Sequence, residues 1–81
     1  MPVVHRLTNA ATVHMYFEME NPPHFHVVEA EYEAKIDIRT LEVMRGTIRR
    51  RTLEKARQWA AGNQGYLLEK WDRFSARSKG I

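Results

Sequence analysis

The spacing of the apolar residues changes from a period of two to a helical period at Gly46. Before this glycine, the segment from Glu31 to Ile38 alternates charged and apolar residues, which is typical of a strand with one buried face. After it, apolar residues recur at helical spacing at Leu53, Ala56, Trp59 and Ala60. The chain must therefore combine a sheet built from its first half with helices built from its second half.

The same signals predict the remaining elements. Strands are predicted over 3–7, 12–18, 24–29, 31–38 and 41–45, because these runs are rich in β-branched and aromatic residues or alternate between apolar and polar residues. Gly62-Asn63 ends the first helix, and a second apolar stripe follows at Leu67, Leu68, Trp71 and Phe74. We expect an α+β domain: an antiparallel meander sheet of about five short strands, followed by two C-terminal helices packed on one face.

The length and composition limit the class of protein. The 81 residues are enough for a single small domain, 1–81, in which 77–81 are expected to be a frayed tail. The absence of cysteine excludes disulfides and thiolate metal sites. No apolar run approaches the length of a membrane span, and the N-terminus lacks the pattern of a secretion signal. We therefore expect a cytoplasmic protein that does not associate with membranes.

The charges are divided between the two halves of the chain. Residues 1–38 carry two basic and six acidic side chains, a net −4, whereas residues 39–81 carry eleven and four, a net +7. This division favours a polar partner, either a small protein or a nucleic acid, or else self-association into a homodimer. The alternative is that both halves present ordinary solvated faces.

Two histidines follow a rigid diproline turn in the string Asn21-Pro22-Pro23-His24-Phe25-His26. His24 and His26 are two positions apart on a predicted strand and therefore share one face. A hairpin centred near Asn21 would place Glu18 opposite His24 and Tyr16 opposite His26.

The next hairpin has a predicted two-residue turn at Ala30-Glu31. This register pairs apolar residues with each other, Phe25 with Ile36 among them, which supports it over a slip by one residue. It also places Asp37 opposite His24 and Lys35 opposite His26.

Three interpretations of this face remain open. A divalent-metal site would use His14, His24 and His26 with Glu18 or Asp37 as nitrogen and oxygen ligands. A catalytic site would use His24 or His26 as the acid–base group, with Asp37 or Glu18 to orient the ring and Tyr16 as a hydrogen-bond donor, as in a metal-independent ribonuclease. The third interpretation is structural, with histidines that only make cross-strand contacts.

A basic run follows the predicted sheet. The run consists of Arg45, Arg49, Arg50, Arg51, Lys55 and Arg57. These side chains can neutralise the phosphates of a nucleic acid. Helical periodicity spreads them over more than one face, so a solvated helix surface is the alternative.

The chain resembles a family of small bacterial proteins, the domain of unknown function 4160. The resemblance lies in Met15-Tyr16-Phe17, the Asn-Pro-Pro-His-Phe-His string, Ile36-Asp37-Ile38, Trp59-Ala60 and Trp71. The family has no established activity, and the resemblance implies a two-gene module of toxin–antitoxin style. The chain departs from the family at Glu20, where a histidine is common, and at Ala30-Glu31, where glycine is frequent.

We therefore expect a small binding or regulatory module that acts through its histidine-bearing sheet face and its basic helix. The alternatives are a small metal-independent ribonuclease-like toxin that uses His24 or His26, and a protein that binds a divalent metal.

Overall fold

The computed structural model describes residues 3–16 and 22–78, and in these ranges it contains five strands followed by two helices. The strands are β1 (Val3–Arg6), β2 (Ala11–His14), β3 (His24–Glu29), β4 (Tyr32–Asp37) and β5 (Val43–Thr47), and the helices are α1 (Arg50–Ala61) and α2 (Gln64–Ser78). All strand pairs are antiparallel, and the order in the sheet is the order in the chain. The predicted α+β meander with two C-terminal helices is confirmed.

The core lies between one face of the sheet and the two helices. Alternate residues of the central strands point to this face, and they include Phe25, Val27 and Ile36, which are fully buried. They form one cluster with Ala56 and Ala60 of α1 and with Leu67 and Trp71 of α2. The small alanine side chains allow α1 to approach the sheet closely. Both helices therefore pack on the same face, and the opposite face is left to polar side chains.

The β3–β4 hairpin has the predicted register. Phe25 lies opposite Ile36, and the last pair before the turn is Glu29 with Tyr32. The two-residue turn is therefore Ala30-Glu31, as predicted. Ala30 adopts a left-handed backbone conformation with φ of 53°, which is unfavourable for a residue with a Cβ atom.

The β2–β3 register differs from the prediction by two residues. His14, rather than Tyr16, lies opposite His26, and Val13 lies opposite Val27. An apolar alternation fixes which face a residue occupies, but a shift of two positions preserves the face and also keeps apolar residues paired. Glu18, the predicted neighbour of His24, lies outside the described residues.

Strand β5 is shaped by Gly46. The β4–β5 register shifts between the pairs Lys35–Arg45 and Ile36–Val43, so one extra residue of β5 forms a bulge. Gly46 has φ of +86°, and a Cβ atom at this position would collide with the carbonyl oxygen of Glu33. Only glycine permits this approach, which explains why a glycine occupies a position inside strand β5.

Helix α2 is attached to the sheet at its first residue. The side-chain amide of Gln64 donates to the carbonyl oxygen of Ile38 over 2.8 Å. The helix runs through positions 77 and 78 of the predicted tail, and residues 79–81 lie outside the described ranges. Neither of the described helices is long and apolar enough to cross a membrane.

Candidate functional site

Four nitrogen-bearing side chains lie side by side across the polar face of the sheet. The strand registers pair His14 with His26, His26 with Lys35, and Lys35 with Arg45. We call these four residues, on β2, β3, β4 and β5, the cross-strand row. Because adjacent strands are about 4.8 Å apart, the row extends over about 14 Å. It concentrates basic groups on one line, although the first half of the chain is acidic overall.

A cavity of about 210 Å³ opens at the β5 end of the row. It is lined by His26, Glu33, Lys35, Arg45 and Gly46. Among the described residues that line it, one lysine, one arginine and one imidazole face one carboxylate. This balance favours an anionic ligand, and lysine and arginine both bind phosphate oxygens.

His26 is oriented by a carboxylate on the neighbouring strand. Its Nδ1 lies 3.1 Å from Oε2 of Glu33, and the side chains are 12% and 51% exposed respectively. Because a carboxylate oxygen only accepts hydrogen bonds, Nδ1 carries the proton and Nε2 is the basic nitrogen of the neutral ring. This is the arrangement that a general base needs.

Glu33 is a site residue that the sequence interpretation missed. The predicted register set Lys35 directly opposite His26, and Glu33 is two positions from Lys35 on the same face. Such diagonal neighbours are about 7–8 Å apart at the backbone and within reach of long side chains. The predicted register therefore already indicated Glu33 as a diagonal neighbour of His26, although the prediction named only the directly opposite residue.

The ring of His26 is held by aromatic neighbours. Tyr16 contacts it edge-on at a centroid distance of 4.4 Å, and His24 lies 5.3 Å away in a similar orientation. Behind His24 lies Trp71 of α2 at 4.8 Å. This array limits the rotation of His26 and connects the polar face to the helices, so predicted site residues Tyr16, His24 and His26 do come together.

His24 itself is buried. It is only 2% exposed, and its Nδ1 lies 2.9 Å from the carbonyl oxygen of Pro22, to which it must donate. The diproline turn thus fixes the ring at the start of β3. Of the two histidines in the string, His26 is the one that lines the cavity.

Asp37 faces His24 in the predicted register, but its carboxylate is engaged in a turn. Oδ1 accepts hydrogen bonds from the backbone N–H groups of Arg39, over 2.7 Å, and Thr40, over 3.0 Å. These bonds stabilise the connection between β4 and β5. The structure therefore gives Asp37 a turn-forming role and gives Glu33 the role of orienting a histidine.

His14 lies at the far end of the row and is mostly buried, with 7% exposure. Its Nε2 lies 2.6 Å from Oγ1 of Thr12, while the buried Nδ1 has no hydrogen-bond partner among the residues that the structure describes. Within residues 3–16 and 22–78, no three His, Asp or Glu side chains are placed to hold a metal ion. Glu18, the fourth predicted ligand, lies outside those ranges.

The predicted basic run is divided between two sides of the molecule. Arg45 belongs to the cross-strand row, whereas α1 packs on the opposite, apolar face of the sheet. The exposed cations of that helix are Arg50, Arg51, Lys55 and Arg57. These charges lie on more than one face, as helical periodicity predicts, because the apolar stripe of α1 fixes which side of the sheet the helix covers.

Arg49 has a further, structural role at the start of α1. Its Nε lies 4.0 Å from Oε1 of Glu29, and its guanidinium lies over the ring of Tyr32 at 5.6 Å. The same carboxylate oxygen accepts a 2.7 Å hydrogen bond from the buried hydroxyl of Thr52. The end of β3 and the first turn of α1 are therefore joined through Glu29.

Comparison with known proteins identifies one family. The model of a domain of unknown function (DUF4160) matches residues 11–72, a range that includes β2 to β5, α1 and the first part of α2. No curated protein and no solved structure matches the chain. The resemblance seen in the sequence is thus confirmed, and it brings no assigned activity.

Proposed function

The chain belongs to the domain of unknown function 4160 family, and from its own side chains we propose that it binds single-stranded RNA on the polar face of its sheet. The observation that carries this proposal is the cross-strand row, in which Lys35 and Arg45 stand next to His26 around a cavity. The ligand that this surface favours carries negative charge at regular intervals.

The charges support a phosphate-bearing ligand. Lys35 is a compact ammonium, whereas Arg45 presents a planar fork of donors that matches two phosphate oxygens. Glu33 also lines the cavity, but its carboxylate is directed to Nδ1 of His26. An incoming phosphate would therefore meet the ammonium of Lys35 and the guanidinium of Arg45 on neighbouring strands of the same cavity.

The shape of the surface supports a strand rather than a small anion. From His26 to Arg45 the row crosses three strands, a distance of about 10 Å, which exceeds the size of one phosphate group. Tyr16 adds an aromatic ring beside His26, and rings next to cations on a sheet suit unstacked bases. A polymer that follows the row gains several contacts at once.

The proposal is tested by fluorescence anisotropy with a labelled RNA of about 12 nucleotides, titrated between about 50 and 200 mM salt. We expect log K to fall linearly with log salt. Replacing Lys35 and Arg45 by alanine should weaken binding at least about tenfold and reduce the slope by about 1.4, since each lost phosphate contact to a single strand contributes about 0.7.

The matched control is the double variant Arg51→Ala, Lys55→Ala on α1, which removes the same number of charges from the other side of the sheet. It should keep the slope and lose less than about threefold in affinity. If the helix variant weakens binding as much as the sheet variant, the surface has been placed on the wrong face.

A further inference from the structure

We propose that RNA bound at the cross-strand row is cleaved there, with His26 as the general base and Glu33 as the residue that positions it. This inference rests on the proposed function, because it takes the ligand to be RNA. It goes beyond binding, since it assigns a reaction to one nitrogen atom.

The geometry of the His26–Glu33 pair carries the inference. The carboxylate holds the proton on Nδ1 and leaves Nε2 as the basic nitrogen. Tyr16 and His24 pack edge-on against the ring, so its orientation is maintained without a ligand. A base that is both fixed in tautomer and restrained in rotation needs little reorganisation when the substrate binds.

The cations next to this base suit the charge that develops on the phosphate. Lys35 is the cross-strand neighbour of His26, and Arg45 is the neighbour of Lys35 on the next strand. All three line the same cavity. A phosphodiester held by the two cations would bring the ribose next to His26, and the same cations would stabilise the negative charge of a five-coordinate phosphorus.

The reaction is an intramolecular transfer of the phosphoryl group. Nε2 of His26 takes the proton from the 2′-hydroxyl, and the 2′-oxygen forms a bond to phosphorus. The bond from phosphorus to the 5′-oxygen breaks, and this oxygen takes a proton from water. The hydroxide so formed is neutralised by the proton held on His26, and the products are a 2′,3′-cyclic phosphate and a 5′-hydroxyl.

The experiment compares an RNA of about 12 nucleotides with the same sequence carrying only 2′-deoxyribose. Both are incubated with the protein in the presence of a metal chelator, and the products are identified by mass spectrometry. We expect cyclic phosphate ends from the RNA and no product from the deoxy strand, although both strands bind.

Variants assign the reaction to the named atoms. His26→Gln should reduce the cleavage rate about 10²–10⁴-fold, the usual contribution of a general base, while binding of the RNA is still detected by anisotropy. His5 is the matched control, because its ring stacks on Trp59 at 4.6 Å, away from the cavity. His5→Gln, purified in parallel, should cleave at the rate of the parent protein.

Glu33 is tested as a positioning residue. Glu33→Gln should lower kcat about tenfold or more while KM for RNA is retained, because the uncharged amide no longer selects the tautomer that leaves Nε2 basic. Glu33→Asp, which keeps the charge, should recover part of the loss. A residue that served only stability would show no such recovery at constant KM.

Each result decides between the two proposals. Binding without cleavage overturns the present inference and leaves the binding function standing. Absence of both overturns both. Cleavage that persists in His26→Gln, or that includes the deoxy strand, also refutes the assignment, because another group or a contaminating nuclease would then be responsible.

Discussion

Gly46 should be the residue whose replacement by alanine damages the fold most for the smallest chemical change. Its φ of +86° costs a residue with a Cβ atom about 1–2 kcal/mol. The added methyl group would also meet the Glu33 carbonyl oxygen, and the Cα atom of Ala34 would lie only 3.1 Å away. Because both obstacles are backbone, β5 must move, which adds about 1–3 kcal/mol.

The expected loss is therefore about 2–5 kcal/mol of unfolding free energy. A domain of 81 residues has about 4–12 kcal/mol in total, so Gly46→Ala removes a large fraction of it. The melting temperature, followed by circular dichroism, should fall by about 10–30 °C. Because Gly46 and Arg45 line the cavity, RNA affinity should fall as well, even at temperatures where the variant is folded.

The matched control is Gly65→Ala in α2. Apart from its chain neighbours and the backbone of its own helix, nothing lies within 4 Å of the position of its added Cβ atom. Alanine in a helix is more stable than glycine by about 0.5–1 kcal/mol. This variant should therefore melt slightly higher than the parent protein. If Gly46→Ala melts within about 3 °C of the parent, the close approach of β5 to β4 is not as described.

Two further predictions concern stability. Ala30→Gly should raise the melting temperature by about 3–6 °C, because relief of the left-handed φ of 53° outweighs the entropy of glycine by about 0.5–1 kcal/mol. Its control, Ala61→Gly in α1, should lower the melting temperature, and a lower melting temperature in both variants would contradict the turn geometry. Thr52→Val should lower the free energy of unfolding, measured with denaturant, by about 1.5–3 kcal/mol, because Glu29 loses a buried hydroxyl donor. The control Thr47→Val, at an exposed position, should change the free energy of unfolding by less than about 0.5 kcal/mol. Equal effects of the two variants would show that the Thr52–Glu29 hydrogen bond does not stabilise the fold.

The part of the fold that the sequence predicted best is the β3–β4 hairpin. There the turn has only two residues, and the apolar pair Phe25–Ile36 excludes a slip by one position, so both signals agree on one register. The β2–β3 pair has a long connection instead. Its apolar residues remain paired after a shift of two positions, so nothing in the pattern selects His14 over Tyr16 as the neighbour of His26.

The histidine-bearing face was predicted from the sequence, but some contacts of its residues differ from the predicted ones. The shared face of His24 and His26 follows from strand periodicity, but burial separates them: His24 is covered by Trp71, a contact between elements that are far apart in the sequence. The carboxylate that contacts a histidine of this face is Glu33 rather than the predicted Asp37, because the carboxylate of Asp37 accepts a hydrogen bond from the backbone N–H of Arg39 in the turn. Such a hydrogen bond depends on backbone positions that a linear pattern does not contain.

The order of the strands has a consequence for how this chain reaches its native state. Each of the five described strands pairs with its neighbours in the sequence, so each pairing closes a short loop and loses little loop entropy. The contact order of such a sheet is low, which is characteristic of chains that fold quickly. The sheet can assemble hairpin by hairpin as the polypeptide emerges from the ribosome, and the two helices, which follow the strands in the chain, can then cover an apolar surface that is already in place.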